Sequence, residues 1–275
     1  MSNLISAQAL HLSLEDPDLR TIDARFDLGS PVAGRQAYEQ GHLPRAAFLD
    51  LDEDLSNPPQ THGGRHPLPD MQIFADKLAK LGVSNSSKVV VYDDSAGVFA
   101  GRVWFMLRYA GHDVVQVLDG GLSAWLDAGY ALTEERVPLE PGLFTLNLRP
   151  QMLADMVYVR DHIEDPSTLL VDARAGERYR GEVEPLDKKA GHIPGALNRP
   201  YSQNLSGKTF KNAETLQAEL ADIAEADEVI LYCGSGVSAA HNLLALEEAG
   251  VKGARLYVGS WSDWSSYEEN PVEVD

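Results

Sequence analysis

The chain has 275 residues, a net charge of −19 and a single cysteine. This length is enough for two ordinary domains, and a hydrophobic content of 44% predicts packed cores rather than disorder. An acidic chain without a basic run is poorly suited to nucleic acid or an anionic membrane, because phosphate contacts need Lys and Arg. One cysteine excludes an intramolecular disulfide, a C-x-x-C redox pair and a cysteine-rich zinc site. We therefore expect no nucleic-acid partner and no membrane partner.

Residues 1–10 lack the basic and apolar regions of a signal peptide, and no apolar run approaches the length that spans a bilayer. We therefore expect the protein in the cytoplasm. The histidines at 42, 62 and 66 do not show metal-ligand spacing on any predicted element. We expect no metal and no organic cofactor.

Short apolar runs rich in β-branched residues alternate with helical patterns along the chain. In chain order, we predict helices at 73–81 and 98–109 around a strand at 89–92, a strand at 114–118, a helix beginning near Met152 and ending before Pro166, a helix at 216–224, a strand at 229–232, a helix at 237–249 and a strand at 254–258. This alternation predicts an α/β fold with largely parallel sheets covered by helices on both faces. Ligands of such sheets bind beyond the carboxyl ends of the strands.

The second half of the sequence repeats the first. Asp-Ala-Arg occurs at 23–25 and 172–174, and Gly-His-x-Pro occurs at 41–44 and 191–194. The first copy carries an extra loop at 56–69, whose Pro, Gly and Asn content is typical of irregular backbone. We therefore predict a first domain at 1–137, a linker at 138–150 and a second domain at 151–275.

The only cysteine, Cys233, lies between a predicted strand and a predicted helix, in the segment Cys-Gly-Ser-Gly-Val-Ser. Gly234 and Gly236 allow a tight turn whose N–H groups converge at the positive end of the helix. A thiol at this position ionises more easily, and the thiolate is the nucleophile. The alternative is a buried cysteine that acts as a small hydrophobe. A cysteine phosphatase is disfavoured, because Ala239 stands where the pattern C-x5-R requires arginine.

These motifs together resemble the two-domain sulfurtransferases of the rhodanese family, over about residues 4–271. The Cys233 loop is most similar to the Cys-Gly-Ser-Gly-Val-Thr pattern of the 3-mercaptopyruvate sulfurtransferases. The resemblance implies two rhodanese-like domains with the active site at their interface. It also implies that the first domain is inactive, since Asp93 occupies the position equivalent to Cys233 and a carboxylate cannot accept sulfur. We expect the surrounding N–H groups to hold Asp93 ionised as a helix N-cap.

The implied mechanism is a double displacement. Cys233 attacks the sulfur of 3-mercaptopyruvate, pyruvate leaves as its enolate, and the Cys233 persulfide passes sulfur to a thiol or to cyanide. The residues that the resemblance implies as catalytic are Cys233, Ser235, His42 and Asp23. Asp23 and His42 have counterparts at Asp172 and His192, so a role in holding the fold of each copy is an equal alternative.

The resemblance also implies that Arg178, before Tyr179, binds the donor carboxylate. The family's second binding arginine is missing from 182–190, so either Lys188 or Lys189 replaces it or the carboxylate is bound more weakly. The other predicted donor-site residues lie in the cysteine loop and are Gly234, Gly236, Val237 and Ser238. Arg65 and His66 belong to a loop that resembles the family segment reaching the cleft, although a solvated loop fits equally.

The alternatives stay within reach of experiment. Thiosulfate is the second donor, although enzymes that favour this dianion resemble Cys-Arg-Lys-Gly-Val-Thr and the loop here carries no basic residue. The acceptor is a small thiol, a thioredoxin-like protein or cyanide. A protein from a different class, a persulfide-carrying or regulatory binding module without efficient turnover, is also compatible with the loop.

Overall fold

The structure is a computed structural model that describes residues 2–275, so Met1 of the predicted first domain lies outside the described residues. The chain forms two compact units. The first comprises the residues through Asn57, Leu68–Arg149 and Gly207–Thr209, and the second comprises Pro58–Pro67, Pro150–Ser206 and Phe210–Asp275. The loop 58–67, which the sequence places in the first domain, therefore belongs to the second unit. The predicted linker belongs to the first unit through Arg149.

The first unit is a five-stranded parallel sheet with helices. Its elements are β1 (Leu4–Ile5), α1 (Ala7–Leu12), β2 (Leu19–Asp23), α2 (Ala33–Gln40), β3 (Ala46–Phe48), α3 (Met71–Lys80), β4 (Lys88–Tyr92), α4 (Val98–Tyr109), β5 (Val115–Leu118) and α5 (Gly121–Asp127). The strand order is β1-β5-β4-β2-β3, and the register pairs Asp23 at the end of β2 with Tyr92 at the end of β4. Asp93, which follows β4, therefore lies at the carboxyl edge of the sheet.

The second unit repeats this architecture. Its elements are β6 (Leu153–Ala154), α6 (Met156–His162), β7 (Thr168–Asp172), α7 (Gly176–Tyr179), β8 (Leu197–Asn198), β9 (Leu205–Ser206), β10 (Thr209–Phe210), α8 (Ala213–Glu219), α9 (Ala221–Ala224), β11 (Glu228–Tyr232), α10 (Ser238–Glu248), β12 (Arg255–Tyr257) and α11 (Ser260–Trp264). The order β6-β12-β11-β7-β8 matches the first sheet, and β9 pairs with β10. The predicted α/β fold class is confirmed.

The central strands are buried because helices cover both faces of a parallel sheet. In β11 every residue from Val229 to Tyr232 is buried, and Val89 to Tyr92 in β4 behave in the same way. Each unit has its own apolar core, which contains Trp125 in the first unit and Trp261 with Trp264 in the second. These cores fix the ends of β4 and β11, and thus the positions of the two loops that follow them.

The predicted helix at 216–224 is divided in the structure. α8 ends at Glu219 and α9 begins at Ala221, with Leu220 between them at φ −104° and ψ 9°. Leu220 is buried, so packing rather than a glycine or proline signal sets the break. Within residues 2–275, no helix has both the length and the apolar content needed to cross a bilayer.

Candidate active site

Cys233 directly follows β11, the strand that lies between β7 and β12. Its side chain is only 2% exposed, but its surroundings are polar. The Gly236 N–H donates a hydrogen bond to the Cys233 sulfur at 3.1 Å, and the Cys233 N–H donates to the Ser260 hydroxyl at 3.1 Å. A backbone donor aimed at sulfur stabilises negative charge on it. The thiol is therefore placed for chemistry rather than for packing alone.

The loop after Cys233 requires glycine at one position. Gly236 has φ +77°, and a Cβ there would lie 2.4 Å from the Val258 carbonyl oxygen. This close approach turns the Gly236 N–H towards the sulfur. Val237 then caps α10 and Ser238 is its first residue, so the positive end of an 11-residue helix begins at the loop.

The other side of the loop is held by the start of α11. The Trp261 N–H donates to the Cys233 carbonyl and the Ser262 N–H donates to the Gly234 carbonyl, both at 2.9 Å. Ser260 has φ +56°, a left-handed conformation that is rare outside glycine, and its buried hydroxyl also donates to the Tyr257 carbonyl at 2.8 Å. Ser260 thus fixes the Cys233 backbone at the cost of local strain.

Ser235 has a histidine partner. Its hydroxyl oxygen lies 2.8 Å from Nδ1 of His66, and both side chains are buried. A hydroxyl and an imidazole at this distance can pass a proton between them. Ser235 lies two residues from Cys233 in the chain, so the structure brings the His66 imidazole to the sulfur loop.

His66 is held by the loop 58–67, which is bonded to α11 and the residues after it. The Gly63 N–H donates to the Asp263 carboxylate at 2.7 Å, and the Arg65 N–H donates to the Ser262 hydroxyl at 3.0 Å. His62 stacks on Tyr267 with ring centroids 4.0 Å apart. The loop is therefore an ordered part of the second unit, and the solvated-loop alternative is wrong.

Two arginines lie against the backbone of Gly234. A Cβ built on Gly234 would lie 2.9 Å from Nη2 of Arg65 and 3.3 Å from Nη1 of Arg178. Arg178 also donates a hydrogen bond to the Glu184 carboxylate at 2.7 Å.

Glu184 is a buried carboxylate that holds Arg178 in place. Burial alone would raise the pKa of Glu184, but the hydrogen bonds from Arg178 and from the Leu186 and Asp187 N–H groups outweigh it and lower this pKa below its ordinary value. The charged form of Glu184 is therefore stabilised. It positions the Arg178 guanidinium beside the cysteine loop.

The two lysines proposed to replace the missing arginine differ. Lys189 donates to the Tyr267 and Glu268 carbonyls, so its ammonium group has a structural role. Lys188 is exposed and lines a cavity of about 300 Å³ together with Arg65 and Asp187. Of the basic residues near Gly234, Arg65 rather than Lys188 is the one that accompanies Arg178.

Asp23 and His42 occupy structural positions in the first unit. Asp23 is buried, forms an ion pair with Arg25 at 2.6 Å and accepts a hydrogen bond from the Tyr92 hydroxyl at 2.6 Å. The ring nitrogens of His42 lie 2.8 Å from the Tyr38 carbonyl and 3.2 Å from the Glu135 carbonyl. These contacts occupy both ring nitrogens of His42 with backbone groups.

The same arrangement recurs in the second unit. Arg174 pairs with Asp172 at 2.6 Å, and Nδ1 of His192 lies 2.8 Å from the Tyr179 carbonyl. Both units therefore build the same aspartate–arginine pair and the same contact from a histidine to a backbone carbonyl. The histidine that the structure places against Ser235 is His66, not His42.

Asp93 occupies the first unit's equivalent of the Cys233 position. Its carboxylate accepts hydrogen bonds from the N–H groups of Ser95, Gly97, Phe99 and Ala100, at 2.8 to 2.9 Å. Complete burial nevertheless raises the pKa of Asp93 above its usual value, against the effect of these donors. Gly97 is the N-cap of α4, so Asp93 binds the start of the helix from a position further upstream than an N-cap.

A metal site is not apparent in the part of the chain that the structure describes. No group of three or more His, Cys, Asp or Glu side chains among residues 2–275 could hold a metal ion. The expectation that the protein uses neither a metal nor an organic cofactor stays a prediction.

The sequence signal for His66 and Arg65 was present but weak. Both lie in Gly-Gly-Arg-His-Pro at 63–67, and a Cβ on Gly64 would lie 2.5 Å from the Gly259 carbonyl oxygen. Paired glycines before a histidine indicate a close backbone approach. The sequence offered no sign of Asp187, whose importance depends on contacts made across the fold.

Comparison with known proteins finds relatives over almost the whole chain. The rhodanese-like domain matches residues 6–128 and again residues 155–267. The chain is 44% identical over 98% of both lengths to a probable 3-mercaptopyruvate sulfurtransferase of Pseudomonas aeruginosa. It is 39% identical to a putative thiosulfate sulfurtransferase, SseB, of Mycobacterium tuberculosis, over 98% of this chain and 96% of that protein.

A solved structure also matches this chain over almost its whole length. SseA from Escherichia coli, described among the 3-mercaptopyruvate sulfotransferases, superposes with a TM-score of 0.85 at 34% identity, over 95% of this chain and all of SseA. The repeat seen in the sequence thus corresponds to two domains of one known type.

Proposed function

This chain belongs to the rhodanese family of sulfurtransferases, and we propose that it moves a sulfur atom from 3-mercaptopyruvate to a thiol or cyanide through a persulfide on Cys233. The observation that carries the proposal is the polar environment of this buried sulfur. The Gly236 N–H donates to it, and the adjacent Ser235 is bonded to His66. A nucleophile with a donor and a proton-transfer pair fits covalent catalysis.

In the first half-reaction, the Cys233 thiolate forms a bond to the sulfur of 3-mercaptopyruvate, and the carbon–sulfur bond of the donor breaks. The electron pair of that bond stays on carbon and gives the enolate of pyruvate. The proton of the donor thiol is transferred to this carbon, which leaves pyruvate and an anionic persulfide. The Gly236 N–H and the positive end of α10 stabilise the negative sulfur.

Proton transfer to the leaving enolate is the step that needs side chains. We assign it to Ser235 and His66, because their 2.8 Å contact makes a relay next to the sulfur. This assignment replaces His42, whose ring nitrogens are taken by carbonyl groups, and Asp23, whose carboxylate is paired with Arg25. Their predicted catalytic roles give way to structural ones in the proposal.

The charge around Gly234 favours a monoanionic donor. Arg65 and Arg178 supply two positive charges, and Asp187 and Glu184 offset them. A neutral set of this kind accepts one carboxylate more easily than a dianion such as thiosulfate. Thiosulfate stays the second candidate donor, because relatives from Mycobacterium tuberculosis and from Cricetulus griseus are named for it.

The second half-reaction passes the outer sulfur to an outside acceptor, since the chain has no second cysteine. The proposed acceptors are a small thiol, a thioredoxin-like protein or cyanide, each of which attacks the outer sulfur and restores the Cys233 thiolate. We propose the cytoplasm as the compartment, where such thiols are kept reduced.

The test is a parallel comparison of donors under matched conditions. Pyruvate release from 3-mercaptopyruvate is expected to exceed sulfite release from thiosulfate, with cyanide as acceptor in both arms. The reverse ranking would make thiosulfate the donor. Intact-mass spectrometry after donor alone is expected to show one added sulfur atom in wild type and none in Cys233→Ser.

The mass measurement also separates an enzyme from a binding module. A persulfide that forms but passes no sulfur to any of the three acceptor classes would identify a persulfide carrier. An unmodified Cys233 with both donors would remove the sulfur-transfer proposal altogether.

A further inference from the structure

The position between Arg65 and Arg178 is suited to an anion. The two guanidiniums come from separate segments, the loop 58–67 and α7, and meet over Gly234. Gly234 follows Cys233, and the segment from Cys233 to Ser238 itself contains no basic residue. A planar guanidinium matches a carboxylate better than an ammonium does. An α-keto acid held here would have its carboxylate beside the cysteine loop.

The protein's own Asp187 already occupies this position. One carboxylate oxygen of Asp187 pairs with Nη1 of Arg65, and the other lies 3.4 Å from Nη2 of Arg178. The Asp187 side chain is 5% exposed, whereas the Arg65 and Arg178 side chains are 28% and 19% exposed. One oxygen to each arginine is the arrangement that a bound donor carboxylate would make.

Glu184, the other carboxylate nearby, has a different role. It contacts Arg178 at 2.7 Å and Arg174 at 3.3 Å, and it accepts the backbone N–H of Leu186 at 3.0 Å. These contacts tie Glu184 into the core of the second unit. Asp187 contacts Arg178 at a longer distance and borders the 300 Å³ cavity with Arg65. Of the two carboxylates, Asp187 is the one with space beside it to move.

We propose that Asp187 is a tethered carboxylate that occupies the donor-carboxylate site between Arg65 and Arg178, and that the donor binds by displacing it. The proposal rests on the proposed sulfur-transfer function of the same site. Arg65 then supplies the second guanidinium that the segment 182–190 lacks. The displaced Asp187 keeps its negative charge close to the site, so it opposes a dianion more strongly than a monoanion. Asp187 thus determines donor specificity as well as affinity.

Displacement has a measurable consequence. An internal competitor lowers the apparent affinity of every ligand by the fraction of molecules in which the site is open. Replacing Asp187 by asparagine keeps the shape of the side chain but removes the charge that pairs with both arginines. We expect binding of a simple carboxylate to tighten by about fivefold, the order expected for a partly exposed ion pair. The KM for thiosulfate is expected to fall more than the KM for 3-mercaptopyruvate.

The experiment measures the affinity of the full chain for pyruvate by calorimetry, which requires no turnover. Wild type, Asp187→Asn and Asp187→Ser are compared, with Glu182→Gln as the matched control because the exposed Glu182 pairs with Arg180. Tighter pyruvate binding in both Asp187 variants, with the control unchanged, supports the proposal. Equal or weaker binding in the variants, or no pyruvate binding to any form, overturns it.

A further variant and a separate readout keep this test distinct from that of the function. Arg65→Gln is expected to weaken pyruvate binding, and unchanged binding would remove Arg65 from the site. Persulfide formation on wild-type Cys233 tests the sulfur-transfer reaction alone. A persulfide without any effect of the Asp187 variants on pyruvate binding would retain the function and refute the tethered carboxylate.

Discussion

Replacing Gly236 by alanine tests whether the geometry of the sulfur loop depends on a close backbone contact. Alanine at φ +77° carries a left-handed conformational cost of about 1–2 kcal/mol. The added Cβ would also lie 2.4 Å from the Val258 carbonyl oxygen, a backbone atom at the end of a buried strand. Overpacking of this kind costs about 1–3 kcal/mol more. We therefore expect a total loss of about 3 kcal/mol.

Gly253 offers a matched control within the same unit. It has φ +87°, but a Cβ there would have nothing within 4 Å. Gly253→Ala therefore carries the conformational cost alone, about 1–2 kcal/mol. For a chain of this size, about 2–4 °C of melting temperature corresponds to 1 kcal/mol. The extra cost of about 1–3 kcal/mol in Gly236→Ala therefore predicts a melting temperature about 2–12 °C below that of Gly253→Ala.

The assay combines thermal unfolding, followed by circular dichroism, with persulfide formation, followed by intact mass. Gly236→Ala is expected to slow persulfide formation because the shifted backbone withdraws an N–H from the Cys233 sulfur. Gly253→Ala is expected to form persulfide at the wild-type rate. Equal melting temperatures for the two variants, together with equal persulfide rates, would refute the argument that this contact orients the loop.

Three further predictions concern single side chains. His66→Gln is expected to lower kcat for pyruvate release by about a hundredfold, since Ser235 loses its base; a loss below threefold would make the pair structural. Because the pKa of Glu184 is lowered in the folded protein, its ionised carboxylate stabilises the fold above about pH 4.5. This stabilisation is lost as the pH falls through the pKa that Glu184 has in the folded protein. The melting temperatures of wild type and Glu184→Gln should therefore converge below pH 4.5. Asp93→Asn is expected to cost about 2 kcal/mol in urea unfolding, because an NH₂ group would face N–H donors; an unchanged midpoint would contradict this.

Helices that depend on residues close together in the sequence could be predicted from it. The helix predicted at 98–109 is α4 (Val98–Tyr109), and the helix predicted at 237–249 is α10 (Ser238–Glu248). Long apolar periods bounded by glycine fix such elements locally. The helix expected near Met152 begins only at Met156, because Asp155 accepts the Tyr158 N–H as its N-cap.

Contacts between segments that are distant in the sequence could not be predicted from it. The family resemblance linked Ser235 to His42 of the Gly-His-x-Pro motif, whereas the histidine of this motif contacts backbone carbonyls of its own unit in both repeats. His66 reaches Ser235 from a residue separation of 169, through a loop whose composition suggests only irregular backbone. The pairing of Asp187 with Arg65 and Arg178 likewise joins segments that are separated in the sequence. The local sequence pattern predicts the helices, the strands and the position of Cys233. The side chains that surround Cys233 depend instead on how the loop 58–67 packs in the folded chain.

The loops that follow β4 and β11 can be compared, because they occupy equivalent positions in the two units. Asp93 and Cys233 hold equivalent places after β4 and β11. The carbonyl of Asp93 accepts the Leu122 N–H at the start of α5, and the carbonyl of Cys233 accepts the Trp261 N–H at the start of α11. In the first unit four backbone N–H groups surround a carboxylate. The loop in each unit therefore turns backbone N–H groups towards the side chain that follows the central strand, four towards Asp93 and that of Gly236 towards Cys233. In the second unit that residue is Cys233, whose sulfur accepts a hydrogen bond from the Gly236 N–H, and in the reaction that we propose this donor would stabilise an anionic persulfide.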